Sequence, residues 1–218
     1  MKIEFYKYQG TGNDFIILDN RKKDYSLLNT SAIHSLCDRR YGIGGDGLML
    51  LNDRNGYDFE MKYYNADGNE SSMCGNGGRC LVKFAYHMGI HRSTYKFMAV
   101  DGEHEAEIDT DETVSLRMKD VAGVKKFKGD NLLNTGSPHY VSFRSEIDKI
   151  NVVSEAHKIR YNDIFAKEGI NVNFVETNTG KVKMRTYERG VEDETLSCGT
   201  AACERPLSSA GQSRAYPA

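Results

Sequence analysis

The stretch Asn65–Cys80 reads NADGNESSMCGNGGRC. It sets Cys74 on a glycine-rich turn, and the residues after it have helical period. Leu81, Phe84, Ala85 and Met88 recur at i, i+3, i+4 and i+7, and Gly89 is a natural stop. Far downstream, Glu188–Cys203 reads ERGVEDETLSCGTAAC and repeats that layout around Cys198. Three pairs of landmarks lie at nearly one interval: Asn13 and His139 are 126 residues apart, Asn65 and Glu188 123, Cys74 and Cys198 124. The spacing predicts two halves of one plan, strands around a helix in each, meeting at a cleft.

The rest of the chain fits that plan. Lys2–Tyr8 alternates as a half-buried strand, Gly10–Asp14 is a turn, and Phe15–Leu18 is a short apolar strand. Thr30 or Ser31 can cap a helix to about Arg40, with Ile33, Leu36 and Cys37 inward. Gly42–Gly47 is a second glycine-rich turn, and Leu48–Leu51 and Tyr57–Tyr64 are strands. Tyr95–Val100, His104–Ile108 and Thr113–Met118 are three more. Around Asp120–Gly129 the apolar pattern thins and lysines cluster, which divides 1–119 from 120–218. In the second half, Asn134–His139 is a turn and Tyr140–Phe143 a strand. Ser154 caps a helix to about Phe165 or Lys167 with Ile159 and Ile164 inward, and Val172–Val175 and Lys181–Thr186 are strands.

Both cysteines fall at an expected helix start. A helix N-terminus presents unpaired N–H groups and a positive field, which lowers a thiol's pKa and binds an anion such as a carboxylate. Gly75, Gly77, Gly78 and Gly199 would let backbone approach a ligand closely. Two thiols on opposite sides suit inversion at carbon: one thiolate takes a proton from one face, and the other thiol returns one to the opposite face. His139 and Glu188 are candidates for orienting or polarising the thiols. The scheme needs no metal and no cofactor, and no lysine stands out as a Schiff-base site. Cys37, Cys80 and Cys203 read as packing residues, and His34, His87, His91, His104 and His157 as surface or helix-face residues. Zinc binding by four cysteines is an alternative, but Cys-x5-Cys and Cys-x4-Cys strain the usual spacing. The loops GTGN and GIGGDG lack the lysine of a phosphate loop.

The totals bound the class. A chain of 218 residues with 28% charged residues and net charge −2 gives no sign of a nucleic-acid or membrane partner. No apolar run approaches the roughly 20 residues of a membrane span. The start MKIEFYKYQG lacks a secretory core, so a cytoplasmic location with the five cysteines as free thiols is expected.

Six motifs in order resemble the diaminopimelate epimerase family: GTGNDF at Gly10–Phe15, GIGGDG at Gly42–Gly47, NADGNESSMCGNGGRC, GSPHYV at Gly136–Val141, GINVNFV at Gly169–Val175 and YERGVEDETLSCGT at Tyr187–Thr200. The resemblance implies an α/β fold of α+β type. Two similar domains, related by a pseudo-two-fold, would each form a sheet or partial barrel around a central helix, with the active site in the cleft between them. It implies cofactor-independent interconversion of LL- and meso-diaminopimelate in lysine and peptidoglycan precursor synthesis, on a small amino-acid substrate, in a homodimer. By motif it implies Cys74 and Cys198 as the acid/base pair, supported by His139 and Glu188. Asn13, Asn65, Asn173 and Arg189 would bind substrate, while Gly75, Asn76, Gly199 and Thr200 would hold its α-carboxylate through backbone groups. A related racemase acting on an amino acid such as proline is the alternative. After Cys203 the sequence departs from the family's pattern: Pro206 disfavours helix and Leu207–Ala218 has no apolar period. The expectation there is a disordered, truncated or altered terminus, and with it the further alternative of an inactive remnant.

Overall fold

The computed structural model describes residues 2–118, 121, 123–178 and 181–195. The chain divides into two compact units, with the division after Arg117. Each is a sheet with helices, the α+β arrangement expected.

The first unit begins with a hairpin, β1 (Tyr6–Gly10) and β2 (Asn13–Asp19). Gly10 pairs with Asn13, so the connection is only Thr11-Gly12, both at positive φ (51° and 93°). Two-residue hairpins take this geometry because it matches strand twist. The strand expected at Lys2–Tyr8 therefore starts later and runs further. The chain then passes through α1 (Thr30–Cys37) to β3 (Gly47–Asn52), parallel to β2, and returns in β4 (Phe59–Asn65) with the short β5 (Glu70–Ser71) beside it. Helix α2 (Gly75–His87) comes next, then β6 (Thr94–Ala99), β7 (Gly102–Ile108) and β8 (Val114–Leu116). The sheet order is β1-β2-β3-β4-β6-β7-β8.

Strand alternation sorts the core of this unit. Ile16, Leu18, Leu48 and Leu50 pack with Ile33 and Cys37 of α1. The intervening Phe15 and Met49 face α2, whose Gly77 lies against both. Strands covered on both faces read as continuous apolar runs. Helix α2 touches strands from both ends of the sheet order, β1 and β8, so the sheet curls around it. Cys80 and Val82 are buried along with Leu81, Phe84 and Ala85, a wider buried surface than one apolar face. Gly89 (φ 91°) ends the helix as expected.

Asn29, not Thr30 or Ser31, caps α1: its side chain accepts the Ala32 N–H at 2.9 Å. The helix stops at Cys37 rather than Arg40. The glycine loop folds back there, with Ile43 and Gly44 donating to the Leu36 carbonyl (2.9 and 3.0 Å) and Gly45 to that of Cys37 (3.1 Å). A Cβ on Gly42 would come within 2.1 Å of the Ser35 carbonyl oxygen. GIGGDG is thus a helix cap built of glycine because the return is so close.

The second unit carries β9 (Lys125–Phe127), β10 (Asp130–Asn134), β11 (Pro138–Phe143), α3 (Val152–Arg160), β12 (Asn171–Asn178), β13 (Lys181–Glu188) and β14 (Asp193–Thr195), in sheet order β14-β13-β12-β11-β10-β9. Its core joins Tyr140, Val172, Phe174 and Tyr187 to Val152 and Ala156 of α3. Asn151, not Ser154, caps α3, accepting the Ser154 N–H at 3.0 Å. The helix ends at Arg160 because the Asn162 side chain accepts the N–H groups of Ile164 and Phe165 (2.9 and 3.0 Å), a local turn that competes with helix. Ile164, expected inward, is consequently exposed.

The repeat holds in topology. The series β1, β2, α1, β3, β4, β5, Cys74 is matched by β10, β11, α3, β12, β13, β14, Cys198, with the same antiparallel, parallel and antiparallel pairings. Tyr6 to Asp130, Gly47 to Asn171 and Cys74 to Cys198 are each 124 residues apart. Cys198, Gly199, Thr200, Cys203 and Leu207–Ala218 lie outside the described residues.

Candidate active site

In the first unit the sequence elements converge at the start of α2. Cys74 is the N-cap residue, half-buried, and its carbonyl accepts the Gly78 N–H at 2.7 Å. The preceding N–H, of Met73, donates to Asp101 at 3.2 Å, and Asp101 also meets His104 at 3.2 Å. His104, expected at the surface, is buried and stacks on Phe97. The two glycines after Asn76 serve packing. A Cβ on Gly77 would sit 3.2 Å from Met49 Sδ, and one on Gly78 3.1 Å from Leu116 Cδ2 and Met73 Sδ. The expectation that they open space for a ligand gives way to one of close helix–strand contact.

Asn76 and Asn13 meet directly, although 63 residues separate them. Asn76 is 1% exposed, and its Nδ2 donates to Asn13 Oδ1 at 2.6 Å. Asn13 Nδ2 donates to Asp46 Oδ2 at 3.0 Å, and Asn76 Oδ1 accepts from Thr11 Oγ1 (3.1 Å) and Arg79 Nη2 (2.8 Å). Arg39 bridges Asp14 (2.6 Å) and Asp46 (2.8 Å), and Lys7 pairs with Asp14 at 2.7 Å. Burial works to raise the Asp14 pKa, but Arg39 and Lys7 outweigh it and hold the carboxyl below the usual range. These bonds fix both amide orientations. Asn65 stands at the end of β4 opposite Gly47, with its N–H and C=O committed to the turn through Asn69 (3.0 Å) and Gly68 (2.9 Å).

In the second unit, parallel pairing of β11 and β12 sets His139 opposite Asn171. His139 is 0% exposed. Its Nδ1 lies 3.1 Å from Asn173 Nδ2 and its Nε2 3.4 Å from Asn171 Nδ2. Asn171, not among the site residues expected from the sequence, ties the group together: its Oδ1 accepts the Arg189 N–H at 2.8 Å and its Nδ2 donates to Ser137 Oγ at 3.0 Å. Its alternation with Val172 as a polar residue on a buried strand was the available signal. Arg189 donates through Nη1 to the Glu168 carbonyl (2.9 Å), and its side chain lies across Gly169, where a Cβ would come within 2.5 Å. Glu188, half-buried, closes β13 opposite Asp193.

Electrostatics separates the titratable groups. Burial pushes the Cys37 thiol up to about 11 and that of Cys80 up to about 12, so both stay protonated packing groups. Burial, and after it the nearby Arg189 charge, hold the His139 imidazole down to about 4. The ring is therefore neutral at pH 7. An unfolded histidine titrates near 6.5. Its contribution to stability is complete above that value and is lost as pH falls from about 6.5 through about 4, up to about 3 kcal/mol in all. Urea unfolding between pH 7.5 and 4.5 should show this loss, and His139→Gln should flatten the acid limb by about one proton relative to wild type.

A family model described as diaminopimelate epimerase matches residues 5–123 and 131–207, a span that includes Cys74, His139, Glu188 and Cys198. This chain belongs to the diaminopimelate epimerase family. Its class is that of an isomerase of this type. The diaminopimelate epimerase of Flavobacterium psychrophilum is 52% identical over 201 residues, covering 92% of this chain and 78% of that protein. That of Chlorobaculum tepidum is 42% identical over 208 residues, covering 92% and 80%. Among solved structures, a Bacillus anthracis phenazine biosynthesis protein of the PhzF family aligns with TM-score 0.70 at 15% identity, covering 93% of this chain and 78% of that one. A hydroxyproline epimerase from Agrobacterium vitis aligns with TM-score 0.57 at 12% identity, covering 86% and 70%. At such identities these two show the fold alone. Among the described residues, no helix is long and apolar enough to cross a membrane.

Proposed function

We propose that this chain interconverts LL- and meso-diaminopimelate by two-thiol acid/base chemistry at Cα, without a cofactor, in lysine and peptidoglycan precursor synthesis. The observation that carries this is the position of Cys74. It caps a helix enclosed by a sheet, and Cys198 recurs 124 residues later, after the same series of strands. One thiolate removes the Cα proton, and the thiol at the other face delivers one. Charge that builds toward the α-carboxylate is met by the N–H groups of Gly75 and Asn76 at the start of α2, with Gly199 and Thr200 as their counterparts by motif. With its side chain committed to Asn13, Thr11 and Arg79, Asn76 contributes its backbone. Asn13, Asn65 and Arg189 bind the remainder of the substrate, Arg189 by its fork on a carboxylate. Glu188 and His139 support the thiols.

Purified chain given LL-diaminopimelate should form the meso isomer, read by chiral chromatography, with proline and hydroxyproline unconverted. Conversion of proline but not diaminopimelate would overturn the substrate. A cooperatively folded chain that turns over neither would favour the inactive alternative.

A further inference from the structure

A buried polar chain runs behind His139 through Thr186 and through Asn173, which the family resemblance places among the substrate-binding residues. Thr186 Oγ1 donates to Asn173 Oδ1 at 2.9 Å, and Asn173 Nδ2 donates to the Tyr140 carbonyl oxygen at 3.1 Å. Turning the amide over would set its oxygen against that carbonyl oxygen, two acceptors at 3.1 Å. A buried pair of this kind is costly, so the amide has one orientation. The remaining amide hydrogen points at His139 Nδ1, 3.1 Å away. Nδ1 must therefore accept. Both amide hydrogens of Asn173 are then spent on the protein, and the residue is 0% exposed.

We infer that Asn173 and Thr186 are positioning residues that lock His139 as the Nε2–H tautomer, making it a hydrogen-bond donor at Nε2 rather than a base. Asn171 competes from the other side, since its oxygen is taken by the Arg189 N–H and its NH2 group faces Nε2. A neutral imidazole cannot accept at both nitrogens. The contact at Nε2 is longer (3.4 Å against 3.1 Å), and Asn171 already has Ser137 Oγ as a partner at 3.0 Å. The Nδ1 bond prevails, and the Asn171 contact becomes a meeting of two donors. An Nε2–H ring has no lone pair with which to take a proton from a thiol. It can donate to a thiolate or carboxylate and stabilise the charged form. Asn173 thus acts through His139 and not on the substrate.

The catalytic half of this inference rests on the epimerase reading, whereas the tautomer does not. Nitrogen-15 NMR of histidine-labelled wild-type protein at neutral pH reads it directly. A protonated Nε2 and a bare Nδ1 at His139 are expected, and the Nδ1–H form or an even mixture would overturn the inference. Asn173→Asp replaces the donor by an acceptor and should move the hydrogen to Nδ1. With it, kcat should fall by about 100-fold while KM stays within about twofold. Thr186→Val should yield a mixture of tautomers, and Thr186→Ser should restore the wild-type spectrum. A tautomer that moves with kcat unchanged would overturn the positioning role. If wild type shows Nε2–H but no turnover, the lock stands and the epimerase reading falls.

Discussion

Replacing Cys74 by alanine should lower the rate of epimerisation by about 1,000-fold and leave the fold nearly as stable. General acid/base groups contribute about 10²–10⁴ to rate, and a thiol that must take or give the Cα proton has no substitute at its face of the carbon. The fold loses little because Cys74 is half-buried and its side chain makes no capping bond to α2. The control is Cys80→Ala, six residues on. Cys80 is 4% exposed and its sulfur would lie 3.2 Å from a Cβ on Gly10, so it sits in close packing. That change should cost about 1–2 kcal/mol of stability through the cavity it leaves. It should spare most of the activity, because a thiol held up to about 12 is not the reactive one. Steady-state rates and thermal unfolding on both variants separate the roles. Equal losses of activity would contradict the assignment of Cys74.

Gly68→Ala should be the most damaging small substitution in the first unit, at about 3 kcal/mol or more. Gly68 turns the chain after Asn65 with φ of 85°, and a Cβ there would come within 2.1 Å of the Thr30 carbonyl oxygen. The left-handed backbone costs a residue with a side chain about 1–2 kcal/mol. Relieving a backbone clash costs about 1–3 kcal/mol more. The sum is a large share of the roughly 5–15 kcal/mol typical of a folded protein. Gly56 isolates the second part. Its φ is 83°, yet nothing lies within 4 Å of a Cβ placed on it. Gly56→Ala should cost only the backbone part, so the difference in unfolding free energy between the two variants measures the contact with Thr30. Similar losses in both would show that the turn yields.

The start of α2 was legible in the sequence because two signals coincide there. A glycine-rich turn and a 3.6-residue apolar period meet at one residue, Cys74. The internal repeat was legible from spacing, since insertions between the halves nearly cancel. Helix caps were misplaced by a few residues because serine, threonine and asparagine compete for one role, and the backbone path selects Asn29 and Asn151. Strand β9 escaped because its lysines lie exposed at a sheet edge, where no apolar alternation is needed. His104 and Asn171 escaped because burial of a polar residue depends on partners from elsewhere in the chain. Asp101 supplies one for His104, and Arg189 supplies one for Asn171. Gly77 and Gly78 show the opposite error. Their number near the candidate Cys74 suggested ligand approach, whereas Met49 and Leu116 fill that space.

The most direct test of a two-thiol mechanism is the fate of the Cα hydrogen in D2O at early conversion. A thiol holding the substrate's own proton shields it briefly from solvent, while the opposite thiol carries deuterium. Mass spectrometry of the separated isomers should then find deuterium at Cα of the meso product and almost none in the remaining LL substrate. Equal labelling of substrate and product from the first turnover would mean one base serving both faces, and would contradict the pairing of Cys74 with Cys198.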